Sequence, residues 1–113
     1  MKKVEAIIKP IKLDDVTDAL VRMGVKGLTA FDVRGFGRQR GRSDLSLVGT
    51  EVVAEFLPKT KLEVLVHDDE VEAVIDAISK AAHTGNNGDG KIFVTTVDDV
   101  LRIRTGERGE DAI

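Results

Sequence analysis

The order in which strand and helix patterns follow one another is the feature that most restricts the fold of this chain. Apolar and polar residues alternate over residues 4–9, which predicts a strand that ends at Pro10. Residues 14–24 begin with two aspartates and carry apolar side chains at helical spacing, which predicts a helix terminated by Gly24. Residues 28–34 alternate again and predict a second strand. The first third of the chain therefore has the order strand, helix, strand.

The remainder of the chain repeats this order. Its predicted strands lie at residues 51–57, which Pro58 ends, and at residues 61–66, 91–97 and 100–104. The acidic residues 68–70 begin its predicted helix, which continues to residue 82. Two strand–helix–strand units in succession are the arrangement of a ferredoxin-like fold. We expect a single α+β domain over residues 1–113, with two helices on one face of an antiparallel sheet.

The other face of that sheet has no helix to cover it. Aromatic residues make up only 4% of the chain, and an open face of this size is not expected to remain in water. We therefore expect a homo-oligomer in which copies of the chain bury their open faces against one another.

Composition excludes several classes of function. The net charge of −3 argues against a polycation that binds nucleic acid, and the absence of cysteine excludes thiolate catalysis and agrees with the cytoplasm. No apolar run approaches the length needed to enter a membrane. The two histidines, His67 and His83, lie in neither a catalytic nor a metal-ligand spacing, so we predict a binding protein without catalytic residues.

A segment rich in glycine and arginine, residues 34–42, follows the second predicted strand. Glycine amides can line a concavity that holds an anion, and arginines add charge-assisted donors. The glycine spacing and the lack of a following helix differ from a dinucleotide fingerprint. An RNA-binding signature would place stacking aromatic residues where Arg38 and Gln39 stand. A solvated basic turn is the alternative interpretation of this segment.

A second glycine cluster, residues 85–90, directly precedes Lys91. It matches G-x-x-x-x-G-K, but Ile92 replaces the hydroxyl residue that would hold Mg²⁺ in a Walker A loop. Three glycines followed by a lysine still describe a backbone nest with a cation beside it, which favours a phosphate. An ordinary turn is the alternative interpretation here.

Arg102 and Arg104 would point to the same side of the last predicted strand. Taken alone, they are better explained by a solvated strand face. A ferredoxin-like sheet can bring the three basic segments together, however. We therefore predict that Arg38, Lys91, Arg102 and Arg104 contact one polyphosphate.

Six short motifs cover essentially the whole chain: EAIIKP at residues 5–10, LDDV at 13–16, GFGRQ at 35–39, FLPK at 56–59, TGNNGDGKIF at 84–93 and RIRTG at 102–106. With these motifs the chain resembles a known family, the P-II signal transduction proteins, which are trimeric sensors of nitrogen and carbon status.

The resemblance implies a homotrimer with three clefts between neighbouring subunits, each of which binds ATP or ADP. The phosphates would be held by the phosphate-binding loop, residues 84–91, and by the C-terminal segment, residues 102–113. The nucleotide-binding residues implied by the family are Thr29, Gly35, Gly37, Arg38, Glu63, Leu65, Gly88, Asp89, Gly90, Lys91, Arg102 and Arg104. Of these, Thr29, Glu63 and Leu65 would border the adenine.

The resemblance further implies that 2-oxoglutarate binds at the base of the T-loop, about residues 37–53, when Mg-ATP is present. Gln39 would ligate the Mg²⁺, Lys59 would pair with the distal carboxylate, and Gly88 would border the acid. The T-loop would then regulate target proteins, such as a membrane transporter or an enzyme of nitrogen or carbon assimilation. An adenylate-only sensor, with bicarbonate or no second ligand and with a carbon-uptake or other transport system as its target, is the alternative, and an RNA-binding module ranks third.

The chain departs from many relatives in having no tyrosine. Relatives that are nucleotidylated carry a tyrosine near the tip of the T-loop, so this modification is chemically impossible here. Thr50 and Ser46 are low-ranking candidates for phosphorylation in its place. Leu47 stands roughly where relatives that block an ammonium channel carry an arginine, which leaves the target protein open.

Overall fold

A computed structural model of the chain describes residues 1–37, 46–48, 51–53 and 55–113. Two helices and six strands occur within these residues. In chain order they are β1 (Lys2–Ile8), α1 (Leu13–Arg22), β2 (Thr29–Gly35), β3 (Ser46–Val48), β4 (Glu51–Val53), β5 (Leu57–Val66), α2 (Val71–Ala82) and β6 (Lys91–Thr96).

Four of the strands form one sheet in the order β2-β5-β1-β6, and each neighbouring pair is antiparallel. The first strand thus lies between the two strands of the second half of the chain. This order, with both helices packed on one face, confirms the ferredoxin-like α+β fold.

Both helices begin with a short 3₁₀ turn and lie on the sheet with one apolar stripe. Pro10–Lys12 leads into α1, and Asp68–Glu70 leads into α2, so the second α-helix begins three residues later than predicted. Gly24 has a φ of 97°, a conformation that glycine adopts readily, and so ends the first helical segment as expected. Neither described helix has the length and apolar character that crossing a membrane would require.

The core lies between the helices and the sheet. Alternate residues of the two central strands point into it, and every fourth or third residue of each helix meets them. Its buried members include Val4, Ala6, Ile8, Leu62, Val64 and Val66 from the sheet and Val16, Leu20, Val74 and Ile78 from the helices.

The open face of the sheet carries charge as well as apolar surface. The Lys3 ammonium lies 2.9 Å from the Glu5 carboxylate and 3.4 Å from that of Glu63. The Lys61 ammonium lies 4.8 Å from the centre of the Phe31 ring. The pKa of Lys3 is raised by its hydrogen bonds to Glu5 and Glu63. This face is therefore a network of opposite charges interspersed with apolar side chains, and its burial against other copies stays a prediction.

The predicted strand over residues 51–57 is wrong in its extent. Glu51–Val53 pairs with β3 in a separate two-stranded sheet, and β5 begins at Leu57 and continues through Pro58. A proline is tolerated here because pairing with β1 starts only at Thr60, so Pro58 has a strand neighbour on one side alone.

The predicted strand over residues 100–104 is also wrong. Its described backbone contains a single bridge, between Leu101 and Arg108. The Gly106 amide donates to the Arg102 carbonyl at 2.8 Å, so the chain turns back before a strand can form. The alternation that would have placed Arg102 and Arg104 on one side of a strand is absent from this segment.

Candidate functional site

One cavity of the structure has a volume of about 690 Å³ and is lined by two lysines, so we call it the lysine cavity. It lies between the ends of β2, β5 and β6. Its lining consists of Lys59 and Lys91, the glycines Gly35, Gly37, Gly88 and Gly90, and the neighbouring residues Ile7, Phe36, Leu57, Asn87 and Phe93. Six residues predicted from sequence to bind anions are therefore brought together here.

The loop that enters β6 is built around the Asp89 carboxylate. This group accepts hydrogen bonds from the amides of Thr84 and Gly85, both at 2.8 Å, and from the Thr84 hydroxyl. The Lys9 ammonium lies 3.3 Å away. The Thr84 hydroxyl first, and then the backbone amides, hold the pKa of Asp89 far below its ordinary value. Asp89 thus organises the loop from within, rather than extending its carboxylate into the lysine cavity.

Two glycines give this loop its shape. Gly88 and Gly90 have φ values of 95° and 98°. A Cβ atom on Gly90 would lie 1.6 Å from the carbonyl oxygen of Ile7, so the loop backbone approaches β1 too closely for any side chain. The close approach places Lys91 directly opposite Ile7 in the sheet. A glycine at position 90 is therefore a requirement of packing against β1.

Lys59 reaches the same loop from β5. Its ammonium donates to the Gly88 carbonyl at 3.1 Å. Burial, followed by the nearby charge of Lys9, lowers the pKa of Lys59. A partly buried ammonium beside glycine amides is a favourable partner for a carboxylate or a phosphate.

The second cavity, of about 460 Å³, lies at the other end of β5, and we call it the carboxyl-terminal cavity. Thr29, Glu63 and Leu65 line it, which are the three residues that the family resemblance assigns to adenine. Thr29 and Glu63 are direct partners across β2 and β5. Its lining also includes Ala112 and Ile113 from the end of the chain.

The two cavities share no lining residue. Lys59 and Leu65 are six residues apart on one strand, which corresponds to about 20 Å at the rise of an extended chain. Within one chain the residues predicted to bind nucleotide therefore form two groups instead of one.

Arg102 lies beside the group of residues at the carboxyl-terminal cavity. Its guanidinium contacts the Glu107 carboxylate at 2.9 Å and the carbonyl oxygen of Ile113 at 3.3 Å. The predicted convergence of Lys91 with Arg102 does not occur within one chain, because the turn at Gly106 directs Arg102 toward the C-terminal residues. Arg104 is exposed on that turn.

Several predicted residues cannot be assigned a place. Arg38, Gln39 and Thr50 lie outside the described residues, and so does most of the T-loop. Ser46 begins β3, where the backbone alone is described. Within the described residues, no group of three histidine or acidic side chains is positioned to hold a metal ion.

Two pairs of side chains were missed from sequence. The rings of Phe36 and Phe56 meet edge to face, with centroids 5.1 Å apart, just outside β2 and β5. The imidazole of His67 contacts the Glu110 carboxylate, 43 residues further along the chain. No local pattern links either pair, although the position of Phe36 and Phe56 beside the two strand ends is a usable signal.

Comparison with known proteins decides the family. The family model for nitrogen regulatory protein P-II matches residues 1–107. The chain belongs to the P-II family. It is 59% identical to the nitrogen regulatory protein P-II of Azospirillum brasilense and 58% identical to that of Rhizobium meliloti, over 113 residues and the full length of each protein.

The fold agrees with a solved P-II structure. The crystal structure of Arabidopsis thaliana PII bound to citrate superposes with a TM-score of 0.81 at 46% identity. The match covers 99% of this chain and 91% of that one. A regulatory role for this P-II family protein follows from the family, and its ligands and targets are addressed next.

Proposed function

We propose that this P-II family protein acts in the cytoplasm as a sensor of ATP, ADP and 2-oxoglutarate. It would bind these ligands without consuming them, and would pass the result to a target protein through the T-loop, about residues 37–53. A regulator of this kind works because the ligands bind its conformations with different affinities. The target would be a transporter or an enzyme of nitrogen or carbon assimilation.

The observation that carries this proposal is the composition of the lysine cavity. Lys59 and Lys91 supply two positive charges, and Gly88 and Gly90 allow the backbone of the loop to approach a ligand closely. Phosphates and carboxylates are the groups that such a cavity stabilises best. Lys91 is the residue that we assign to nucleotide phosphates, and Lys59 the one that we assign to the acid.

The division of the site supports an assembly of several copies, which we take to be the homotrimer that the family resemblance implies. The adenine residues line the carboxyl-terminal cavity, whereas the phosphate loop lines the lysine cavity at the other end of β5. A nucleotide that contacts both groups must therefore lie between two copies of the chain. The open face of the sheet, with its paired charges on Lys3, Glu5 and Glu63, is available to hold the copies together.

A second ligand with several carboxylates is supported by the environment of Lys59. Its ammonium donates to the Gly88 carbonyl beside the loop glycines, and a carboxylate that reaches the same ammonium would accept a stronger, charge-assisted hydrogen bond. The Arabidopsis relative was crystallised with citrate, another small polycarboxylic acid. In the proposed complex, Gln39 and the ATP phosphates would hold Mg²⁺, which supplies positive charge for the keto acid.

Titration calorimetry on the full chain tests the proposal. We expect ADP and Mg-ATP to bind, and 2-oxoglutarate to bind only in the presence of Mg-ATP. Lys91→Ala should weaken both nucleotides, whereas Lys59→Ala should abolish 2-oxoglutarate binding and weaken nucleotides less. Lys80→Ala, an exposed lysine on α2, is the matched control and should change neither.

Three outcomes would contradict this assignment. The absence of adenylate binding would overturn the sensor itself. Nucleotide binding without any 2-oxoglutarate binding would favour the adenylate-only alternative, and a parallel titration with bicarbonate would then identify its second ligand. Equal losses of both ligands in the two lysine variants would contradict the separate roles of Lys59 and Lys91.

A further inference from the structure

The last residues of the chain form one wall of the carboxyl-terminal cavity. Ala112 is only 9% exposed, and it lines the cavity together with Ile113. They face the same space as Thr29 and Leu65. If a nucleotide base occupies this cavity, the position of residues 110–113 sets the width that is available to it.

Backbone hydrogen bonds hold the chain up to the start of this wall. The Gly109 amide donates to the Val100 carbonyl at 2.8 Å, and Leu101 is bridged to Arg108. The Arg108 guanidinium also contacts the Asp99 carboxylate. These contacts fix residue 109, and the wall extends from that point.

Two side chains anchor the wall beyond Gly109. The Glu110 carboxylate contacts Nδ1 of His67 and lies 3.6 Å from the amino group of Met1. Arg102 donates to the carbonyl oxygen of Ile113 at 3.3 Å. The first anchor contains a histidine, whose side chain loses its positive charge when it deprotonates.

The charges around His67 favour its protonated form. Glu110 is the nearest, Asp68, Asp69 and Glu70 begin the adjacent helical turn, and the Met1 amino group and Lys2 are the neighbouring cations. The hydrogen bond to Glu110 is the main reason that the pKa of His67 is raised. The electrostatic attraction between protonated His67 and Glu110 is therefore complete below about pH 6.5, the ordinary pKa of histidine. It is lost as the pH rises through the higher pKa that His67 has in the folded protein.

We propose that the His67–Glu110 pair positions residues 110–113 as a wall of the nucleotide pocket, and that deprotonation of His67 loosens this wall and weakens nucleotide binding. The inference rests on the proposed function of the site. A neutral imidazole can still donate a hydrogen bond through Nδ1. The effect is consequently a graded loss of charge assistance, and the wall remains in place at high pH.

The test compares ADP affinity of the full chain with that of His67→Gln at about pH 6 and about pH 8. Glutamine retains a donor but does not titrate. We expect the dissociation constant of the variant to exceed that of the unaltered protein about two- to five-fold at the lower pH, and to approach it at the higher pH. Dividing the dissociation constant of the variant by that of the unaltered protein at each pH removes the contribution of ADP ionisation, which is common to both proteins.

Two further variants separate a specific role from a general one. Glu110→Gln should weaken ADP binding at both pH values, because it also removes the contact with the Met1 amino group. Glu72 is an exposed glutamate on α2, and Glu72→Gln should bind ADP with the same dissociation constant as the unaltered protein at both pH values. A ratio for His67→Gln that is the same at both pH values would overturn the proposal.

Hydrogen exchange in the absence of ligand gives a second readout. At about pH 6, amides of residues 110–113 should exchange faster in His67→Gln than in the unaltered protein, and the difference should shrink at about pH 8. Unchanged exchange would overturn the anchoring role. If the unaltered protein binds no ADP, the proposed function fails, whereas the exchange result still decides whether His67 holds the wall.

Discussion

Replacing Gly90 by alanine tests whether the phosphate loop is shaped by its packing on β1. The added Cβ atom would lie 1.6 Å from the Ile7 carbonyl oxygen and 2.7 Å from its carbonyl carbon, where ordinary contact begins at 3.4 Å. Both neighbours are backbone atoms of a central strand, so the loop has to move away. The φ of 98° adds conformational strain for any residue with a side chain.

The expected loss of stability follows from these two contributions. A positive φ costs about 1–2 kcal/mol in a residue other than glycine. Overpacking that displaces backbone costs about a further 1–3 kcal/mol. Gly90→Ala should therefore lower the free energy of unfolding by about 2–5 kcal/mol, which is a large part of the stability of a small domain.

Gly106 provides a matched control. Its φ is 78°, and no atom lies within 4 Å of a Cβ built on it, so Gly106→Ala introduces strain without a clash. Urea unfolding of both variants, at equal protein concentration because an oligomer is expected, should give the larger loss for Gly90→Ala. If the two variants lose the same free energy, the close approach to Ile7 does not constrain the loop, and the reasoning is refuted.

Two further predictions concern side chains beside the lysine cavity. The depressed pKa of Asp89 means that its carboxylate stays ionised, and its contribution to stability is retained, as the pH falls through the ordinary range of an aspartate. Hydrogen exchange should therefore find the Thr84 and Gly85 amides still protected at about pH 4, and loss of protection there would contradict this role. Leucine substitutions at Phe36 and Phe56 should be non-additive in urea unfolding by about 0.5 kcal/mol or more, because the edge-to-face contact needs both rings. Additive effects would show that the two rings act independently.

Much of the fold was predictable because it follows from local patterns. The apolar spacing of residues 14–24 and the alternation of residues 4–9 each select one secondary structure and one buried face. The boundary errors occurred where pairing partners decide the outcome. Residues 51–57 have strand-forming composition throughout, yet Glu51–Val53 pairs with β3 in one sheet whereas Leu57 pairs with β2 in another. Pairing is a long-range property that composition does not encode.

The candidate site was predictable in part. The glycines before Lys91 were predicted to form an anion-binding loop, and two of them, Gly88 and Gly90, line the lysine cavity with Lys59. The inward orientation of Asp89 was not predicted, although a carboxylate two residues before a strand is a common organiser of turns. Arg102 was expected beside Lys91, but its contact with Glu107 depends on a turn that sequence alternation does not reveal.

The sequence by itself determined the order of the elements, the faces that they bury and the residue types available to an anion, because periodicity and backbone freedom are local properties. Only the tertiary structure decided how these residues are distributed in space. Pairing of β2 with β5 brings Thr29 opposite Glu63 at one end of the sheet and Gly35 opposite Leu57 at the other, and folding of the C-terminal residues brings Glu110 to His67. Such contacts depend on distances across the sheet between residues far apart in the chain, and so the division of the site appeared only once the chain was folded.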